Sequence, residues 1–326
     1  MVVFDLIDEY YATPSPPSTP EPRVPSQITI IDTTTAMAEL VETLPNLPTS
    51  PPSLYVDLEG KDLGRNGTIA IMQLHVLPTN HTYLIDVHTL QDAAFTTPSP
   101  SPSGSDATTT ASPSPSGSDA TTTASPSPSG SDAAAAASPS PSGSDDTTTT
   151  TTTTFKSILE SPTIPKVFFD VRHDSDALYH LYGINLAGVQ DLQLMEHAQS
   201  PHKNYVRGLA KCIQYDAGLS RSEVDESQTV KAVGKELWSP ELGGSFDVFA
   251  ERPMRDEIVQ YCAQDAWVLP LLYERYEVRI GRMYGVENLR VALAKETEQR
   301  IFTFICKSGF ELALGGRGGA AANYTL

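Results

Sequence analysis

The 326-residue sequence reads as an α/β domain built on a mixed β-sheet flanked by helices, with one low-complexity insert. Three observations carry this reading. SLYVDLEG (53–60), IAIMQLHVL (69–77) and TYLIDV (82–87) follow closely, with turn residues between them, as neighbouring strands do. From residue 166 onward strand and helix patterns alternate, which calls for parallel pairing. Between the halves lie residues 99–154, in which four tandem copies of a 13-residue unit beginning SPSPSGSD fill 99–150 and run into Thr151–Thr154. That unit is too short and too poor in large apolar residues for a solenoid, so it is expected to form a disordered surface loop. A glycosylated stalk is the alternative reading of its Ser, Thr and Pro content.

The elements follow in order. Residues 1–27 are Pro-rich and expected to be a flexible tail, although Val2 to Tyr11 is apolar enough for a short docking segment. QITIID (27–32) leads in as a strand, and AMAELVETL (36–44) reads as a helix. Removing the insert joins QDAAF (91–95) to FKSILESP (155–162), which together read as one interrupted helix. KVFFDV (166–171) is a strand, 174–183 a helix, and 189–196 a further short element. Residues 203–213 are expected to be helical. So are 254–280, with a kink or break at Pro270. A last helix covers 286–306, the folded domain closes near 310, and 311–326 is a Gly/Ala-rich tail.

Composition narrows the function. Lys and Arg number 22 against 40 Asp and Glu, a net charge of −18, which excludes a polybasic protein that holds nucleic acid by bulk charge. Cys212, Cys262 and Cys306 are odd in number and far apart, so a disulfide framework or zinc finger is not expected. The first residues, MVVFDLIDEYYATP, lack a basic n-region and a long apolar run, and no stretch approaches a membrane span. The expectation is a cytoplasmic or nuclear protein with no membrane partner.

Carboxylates carry the chemistry. Asp57 and Glu59 lie two apart on a strand and so share a face. Paired carboxylates repel unless a cation lies between them, and hard divalent ions take oxygen ligands of this kind. Tyr261 and Asp265 lie four apart, on one helix face, where a phenol and a carboxylate can jointly hold a water. Asp170, Asp174 and Asp176 cluster around the start of the 174–183 helix, where acids are also ordinary caps.

Each signal alone is common. Their combined order resembles the DEDD superfamily of 3′–5′ exonucleases, in the tyrosine subclass that includes ribonuclease D-like and Werner-type domains. Asp57-Leu58-Glu59 matches the first motif. Asp174, with Leu178, Tyr182 and Gly183 after it, matches the second, in a register that Asp170 and Asp176 do not fit. Tyr261 and Asp265 match the third, and Gln260 stands where the histidine subclass has His. Lys235-Glu236-Leu237-Trp238 and Arg252-Pro253 resemble the segment before that motif. The likeness spans about 28–285 without the insert. It implies a ribonuclease H-like fold and hydrolysis at a single-stranded 3′ end of RNA or DNA, RNA slightly favoured, with two Mg²⁺ or Mn²⁺ ions. It also implies roles: Asp57 bridging both ions, Glu59 and Asp265 completing one site, Asp174 supporting the second, and Tyr261 orienting the attacking water. The alternative is a nucleic-acid-binding module that kept the fold without the activity.

Further residues stand beside this set. Lys203, Arg207 and Lys211 would form one stripe on a helix, either gripping a phosphate backbone or simply facing solvent. His173 adjoins Asp174 as a helix-entry residue. Trp238 is expected to pack against the sheet and Cys262 to be a small core residue.

Overall fold

Six strands form one mixed sheet in the computed structural model, which describes residues 27–100, 152–199 and 205–313, with side chains through 306. The strands are β1 (Gln27–Ile31), β2 (Leu54–Glu59), β3 (Ile71–Val76), β4 (His81–Ile85), β5 (Lys166–Phe168) and β6 (Val189–Asp191). Their order is β1-β4-β3-β2-β5-β6. β2, β3 and β4 form an antiparallel meander, while β1 adds to β4, β5 to β2 and β6 to β5 in parallel. This is the mixed sheet expected from three close strands followed by alternation. Almost all of the N-terminal tail, the body of the insert, Lys203 and the last residues of the C-terminal stretch lie outside the described residues.

The helices are α1 (Thr34–Thr43), α2 (Val87–Leu90), α3 (Ala93–Thr96), α4 (Phe155–Leu159), α5 (Arg172–Tyr182), α6 (Leu192–Ala198), α7 (Leu209–Asp216), α8 (Arg221–Trp238), α9 (Asp256–Trp267), α10 (Leu269–Ile280) and α11 (Val286–Ala313). The two-residue period of β2 divides the molecule. Leu54, Val56 and Leu58 join Met72, Leu74 and Val76 of β3 in a core with α1, α3, α4 and α5. Tyr55 joins the opposite core, built with α6, α7 and α10. Beside it, α9 packs Ile258, Tyr261 and Cys262 onto Ile71 and Leu84. Asp57 and Glu59 follow Tyr55 in alternation and so lie on the α9 side. Emptying one position such as Leu58 to Ala would cost about 2–5 kcal/mol.

Several expected boundaries move, each for a local reason. The strand expected over 166–171 stops at Phe168, because Asp170 turns the chain with a φ of 63°. The helix expected across the insert is two helices. Thr97 is extended after α3, and α4 starts from its own capping box, Thr154 with Ser157. Residues 205–208 are not helical, and α7 starts after Gly208. The helix expected over 254–280 breaks between α9 and α10, with Pro270 in the first turn of α10, where its missing N–H costs nothing. α11 runs on to Ala313, into the expected tail. α8 was missed altogether, although Ser220 and Glu223 carry a reciprocal capping box that the S-x-x-E spelling announces.

The two ends of the insert meet side by side. Pro98 bridges Thr154, the Ser99 N–H donates to the Thr153 carbonyl at 2.8 Å, and the Phe95 and Phe155 rings stack 6.4 Å apart. Replacing 101–151 by a short Gly-Ser link should therefore leave the melting temperature within about 2–4 °C, the equivalent of about 1 kcal/mol in a domain of this size. A larger fall by calorimetry would show that the insert contributes to the core.

Candidate active site

Asp57, Glu59 and Asp265 form the centre of the site. β2 presents the first two and α9, laid across β2, β3 and β4, presents the third. One carboxylate oxygen from each lies within 4.8 Å of the other two. Asp57 and Glu59 are half-buried and Asp265 is buried, so the cluster has a solvent-facing mouth. Three hard oxygens with no sulfur or imidazole among them suit Mg²⁺ or Mn²⁺.

Asp174 approaches from α5, whose first turn it occupies. It lies outside the tight trio, yet near enough that Asp57 raises its pKa and that it raises that of Glu59 in turn. Asp170 and Asp176 are occupied elsewhere. Asp170 accepts from the Arg172 guanidinium at 2.5 and 2.6 Å. Asp176 accepts from the Arg65 backbone N–H at 2.8 Å and its guanidinium at 2.5 Å. Arg65 also donates to the Phe304 and Ile305 carbonyls, tying the loop after β2 to α11.

The cation at the centre was not foreseen. Lys231 of α8 forms an ion pair with Asp265, and its Nζ lies 4.4 Å from the centroid of the Tyr261 ring. Two contacts bring α8 this close. The Gln264 side-chain amide donates to the Ser227 carbonyl at 3.1 Å and to its hydroxyl at 2.9 Å. Gly234 abuts the Tyr261 ring so tightly that a Cβ there would lie 2.4 Å from Cδ2. Nothing in the spelling of Lys231 distinguishes it from a surface lysine; only the α8 capping box places it on a helix.

Electrostatics follow from crowding. Burial, then Asp265, push the Asp57 pKa up to about 7, with Lys231 opposing. Burial, then Asp57, push Glu59 well above the carboxylate range. Burial raises Asp265 while Lys231 restrains it. Burial and the neighbouring Glu59 push the Tyr261 hydroxyl well above the ordinary phenol range, so it remains protonated. Such a phenol is a hydrogen-bond donor, not a base.

The remaining residues sort plainly. Trp238 stacks on Phe246 at 5.4 Å and meets Tyr261 edge-on at 6.2 Å, so it walls the site by packing. His173 meets Phe304 at 5.0 Å, and Cys262 is buried in the core. Arg252 clamps Asp86 at 2.5 and 2.6 Å just before α9. The basic stripe does not form as a helix face. Arg207 precedes α7 and is held by Asp216 at 3.1 Å and Glu196 at 3.4 Å, so its charge is already engaged. Lys211 is on α7, and Lys203 lies outside the described residues.

The acidic cluster thus lies on an inner strand of the six-stranded mixed sheet, with further acids brought to it by α9 and α5. Residues 129–280 match the 3′–5′ exonuclease family. The fold is similar to that of Trypanosoma brucei RNase D, with a TM-score of 0.55 and 20% identity over 93% of this chain and 78% of that one. The same enzyme in complex with RNA U12 gives 0.55 and 19% over 93% and 77%. Its GMP complex gives 0.53 and 20% over 92% and 68%. No curated protein sequence matches significantly. Asp174, Tyr261 and Asp265 lie inside the matched segment, and the sheet brings in Asp57 and Glu59 from outside it.

Carboxyls whose pKa is higher in the folded than in the unfolded chain favour folding fully below about pH 4, the unfolded value. That contribution is lost as pH rises through the folded value, about 7 for Asp57. The metal-free protein should thus melt at progressively lower temperature from pH 5 to pH 8. Saturating Mg²⁺ or Mn²⁺ should remove most of the fall, and Asp57→Asn should flatten it. A metal-free melting temperature that climbs through this range would contradict the crowding.

Proposed function

We propose that the protein is a two-metal 3′–5′ exonuclease that removes nucleotides from a single-stranded 3′ end, with RNA preferred over DNA. The observation that carries this reading is the convergence of Asp57, Glu59 and Asp265 within 4.8 Å, with Asp174 and Tyr261 beside them. The RNA preference is supported by the likeness to an RNase D that has been crystallised with RNA U12.

Asp57, Glu59 and Asp265 would hold one divalent ion, and Asp57 with Asp174 would support the second. Bound there, such ions supply Lewis acidity to a phosphodiester and lower the pKa of water. The chain's own residues do the rest. β3 pairs with the whole of β2 and β5 with its start, and this fixes the strand that carries Asp57 and Glu59. α9 sets Tyr261 and Asp265 one turn apart. The protonated Tyr261 hydroxyl donates a hydrogen bond that orients the attacking water. Trp238, edge-on, and Phe249, tilted, pack against the Tyr261 ring and keep that hydroxyl in one place. Lys231 offsets carboxylate charge while the site waits for its ions.

The test is digestion of matched RNA and DNA oligonucleotides, labelled at either end, with Mg²⁺ or Mn²⁺. Single-stranded RNA should shorten from its 3′ end. Asp57→Asn or Asp265→Asn should lower the rate by about 10³-fold or more, because each removes a charge the transition state relies on. Tyr261→Phe should lower it by about 10²-fold, the usual scale for losing one positioned proton-handling group. Binding without shortening in the wild type would identify a nucleic-acid-binding module instead. Faster digestion of DNA would reverse the substrate preference.

A further inference from the structure

We infer that α11 is a working part of this site: Arg300 is a positioning residue that fixes the Asp174 side of the site through Asp191. The inference rests on the exonuclease reading and adds a residue beyond the matched segment, which ends at 280.

The chain between β5 and α5 must deliver Asp174, and it does so through an unfavourable conformation. Asp170 has a φ of 63°, in the left-handed region that non-glycine residues, Asp less strictly than most, seldom occupy unless their surroundings hold them there. The restraint is Asp191, at the end of β6. Its Oδ1 accepts the Asp170 N–H at 2.9 Å and its Oδ2 the Val171 N–H at 3.3 Å. The same Oδ1 accepts the Gln193 N–H at 2.9 Å and so caps α6. One carboxylate thus fixes both the entry of α5 and the entry of α6.

That carboxylate has a side-chain exposure of 0%, so it needs a counter-charge. Arg300 provides it. Its Nη1 donates to Asp191 Oδ2 at 2.9 Å and to Gln193 Oε1 at 3.0 Å, and reaches Asp170 Oδ1 at 3.4 Å. The guanidinium is itself 12% exposed and held against α5 and β6 by the packing of α11. Without the guanidinium, Asp191 would be a buried, uncompensated charge. It would take up a proton or turn away, and in either case loosen its hold on Asp170 and Val171. Asp174 lies three residues beyond Val171, in the first turn of the helix that this loop starts.

The test reads Mn²⁺ binding by EPR titration of the full chain, without nucleic acid, for Arg300→Met, Asp174→Asn and the double variant. Outer residues that orient metal-holding side chains are worth about 10–100-fold in metal affinity or activity. Arg300→Met should therefore reproduce the loss of Mn²⁺ affinity seen in Asp174→Asn, by about tenfold, and the two losses should not add. In digestion, kcat should fall about 10–100-fold with KM within about threefold. Arg290→Met is the control on the same helix, since among the described residues Arg290 pairs with Glu277 and Glu287, away from the site, and the variant should bind Mn²⁺ as the wild type does. Wild-type Mn²⁺ binding by folded Arg300→Met, or losses that add in the double variant, would overturn the inference. If Arg300→Met does not fold, Arg300→Lys decides: a partial loss supports the role of the forked guanidinium, and wild-type binding overturns it. Asp174→Asn that binds Mn²⁺ normally, or a wild type with no hydrolysis, would instead count against the exonuclease reading, and the two failures are told apart.

Discussion

Mutual repulsion among the site's carboxylates is the constraint to which the rest of the structure answers. Two unit charges within 4.8 Å repel by about 3 kcal/mol at an effective dielectric of ~20, and the trio holds three such pairs. A flexible chain would relieve this by moving apart. Here Asp57 and Glu59 are held by β3, which pairs with β2 along its whole length while β5 pairs with its start at Leu54 and Tyr55, and Asp265 is held because α9 is packed across three strands. The site is therefore rigid and negatively charged. Lys231 meets part of the deficit, and divalent ions would meet the rest.

The same logic separates acids that hold the fold from those of the proposed site. Among the described residues, the buried acids away from the site each have an arginine: Asp86 with Arg252, Asp176 with Arg65, Asp191 with Arg300, Asp216 with Arg207 and Arg279. Planar guanidinium forks satisfy several carboxylate lone pairs at once, which suits permanent burial. Asp57, Glu59 and Asp174 show no such pair among the described residues, and Asp265 has the more mobile lysine. An ammonium on a flexible stem can withdraw when an ion arrives, whereas a bidentate arginine would block the position. Three of the arginine clamps also bear on the site from behind: Arg252 before α9, Arg65 on the loop after β2, and Arg300 at the entry to α5.

Local patterns made most of this legible in the sequence. The period-two runs gave the meander, and the i,i+4 spacing of Tyr261 and Asp265 gave their shared face. Asp174 could be preferred over Asp170 and Asp176 only by register, and the structure shows the physical difference: the other two are held by arginines. What could not be read was the long-range pairing. Lys231 on α8 reaches Asp265 on α9, and Arg300 reaches Asp191 across 109 residues. Neither contact leaves a local pattern. The expected basic stripe failed for the related reason that Gly208 begins α7 after Arg207, whose charge is then taken up by Glu196 and Asp216.

The division of the sheet into two faces explains how one domain carries both a demanding site and a long insertion. The flanks of the insert are α3 and α4, and both pack into the core on the Leu54, Val56 and Leu58 face. Asp57 and Glu59 are on the other face. Because strand residues alternate, Asp57 and Glu59 lie on the side of β2 opposite the elements that admit the insertion, while Asp174 comes from α5, which shares their core. The acids are sensitive to shifts of about 1 Å, while the insertion point demands only that Pro98 and Thr154 stay paired. An expansion of 13-residue units can therefore accumulate between β4 and β5 without altering the register that places Asp57 opposite Gln73 and Glu59 opposite Ile71. The chain's net charge of −18 includes five acids in the insert and four in the proposed site.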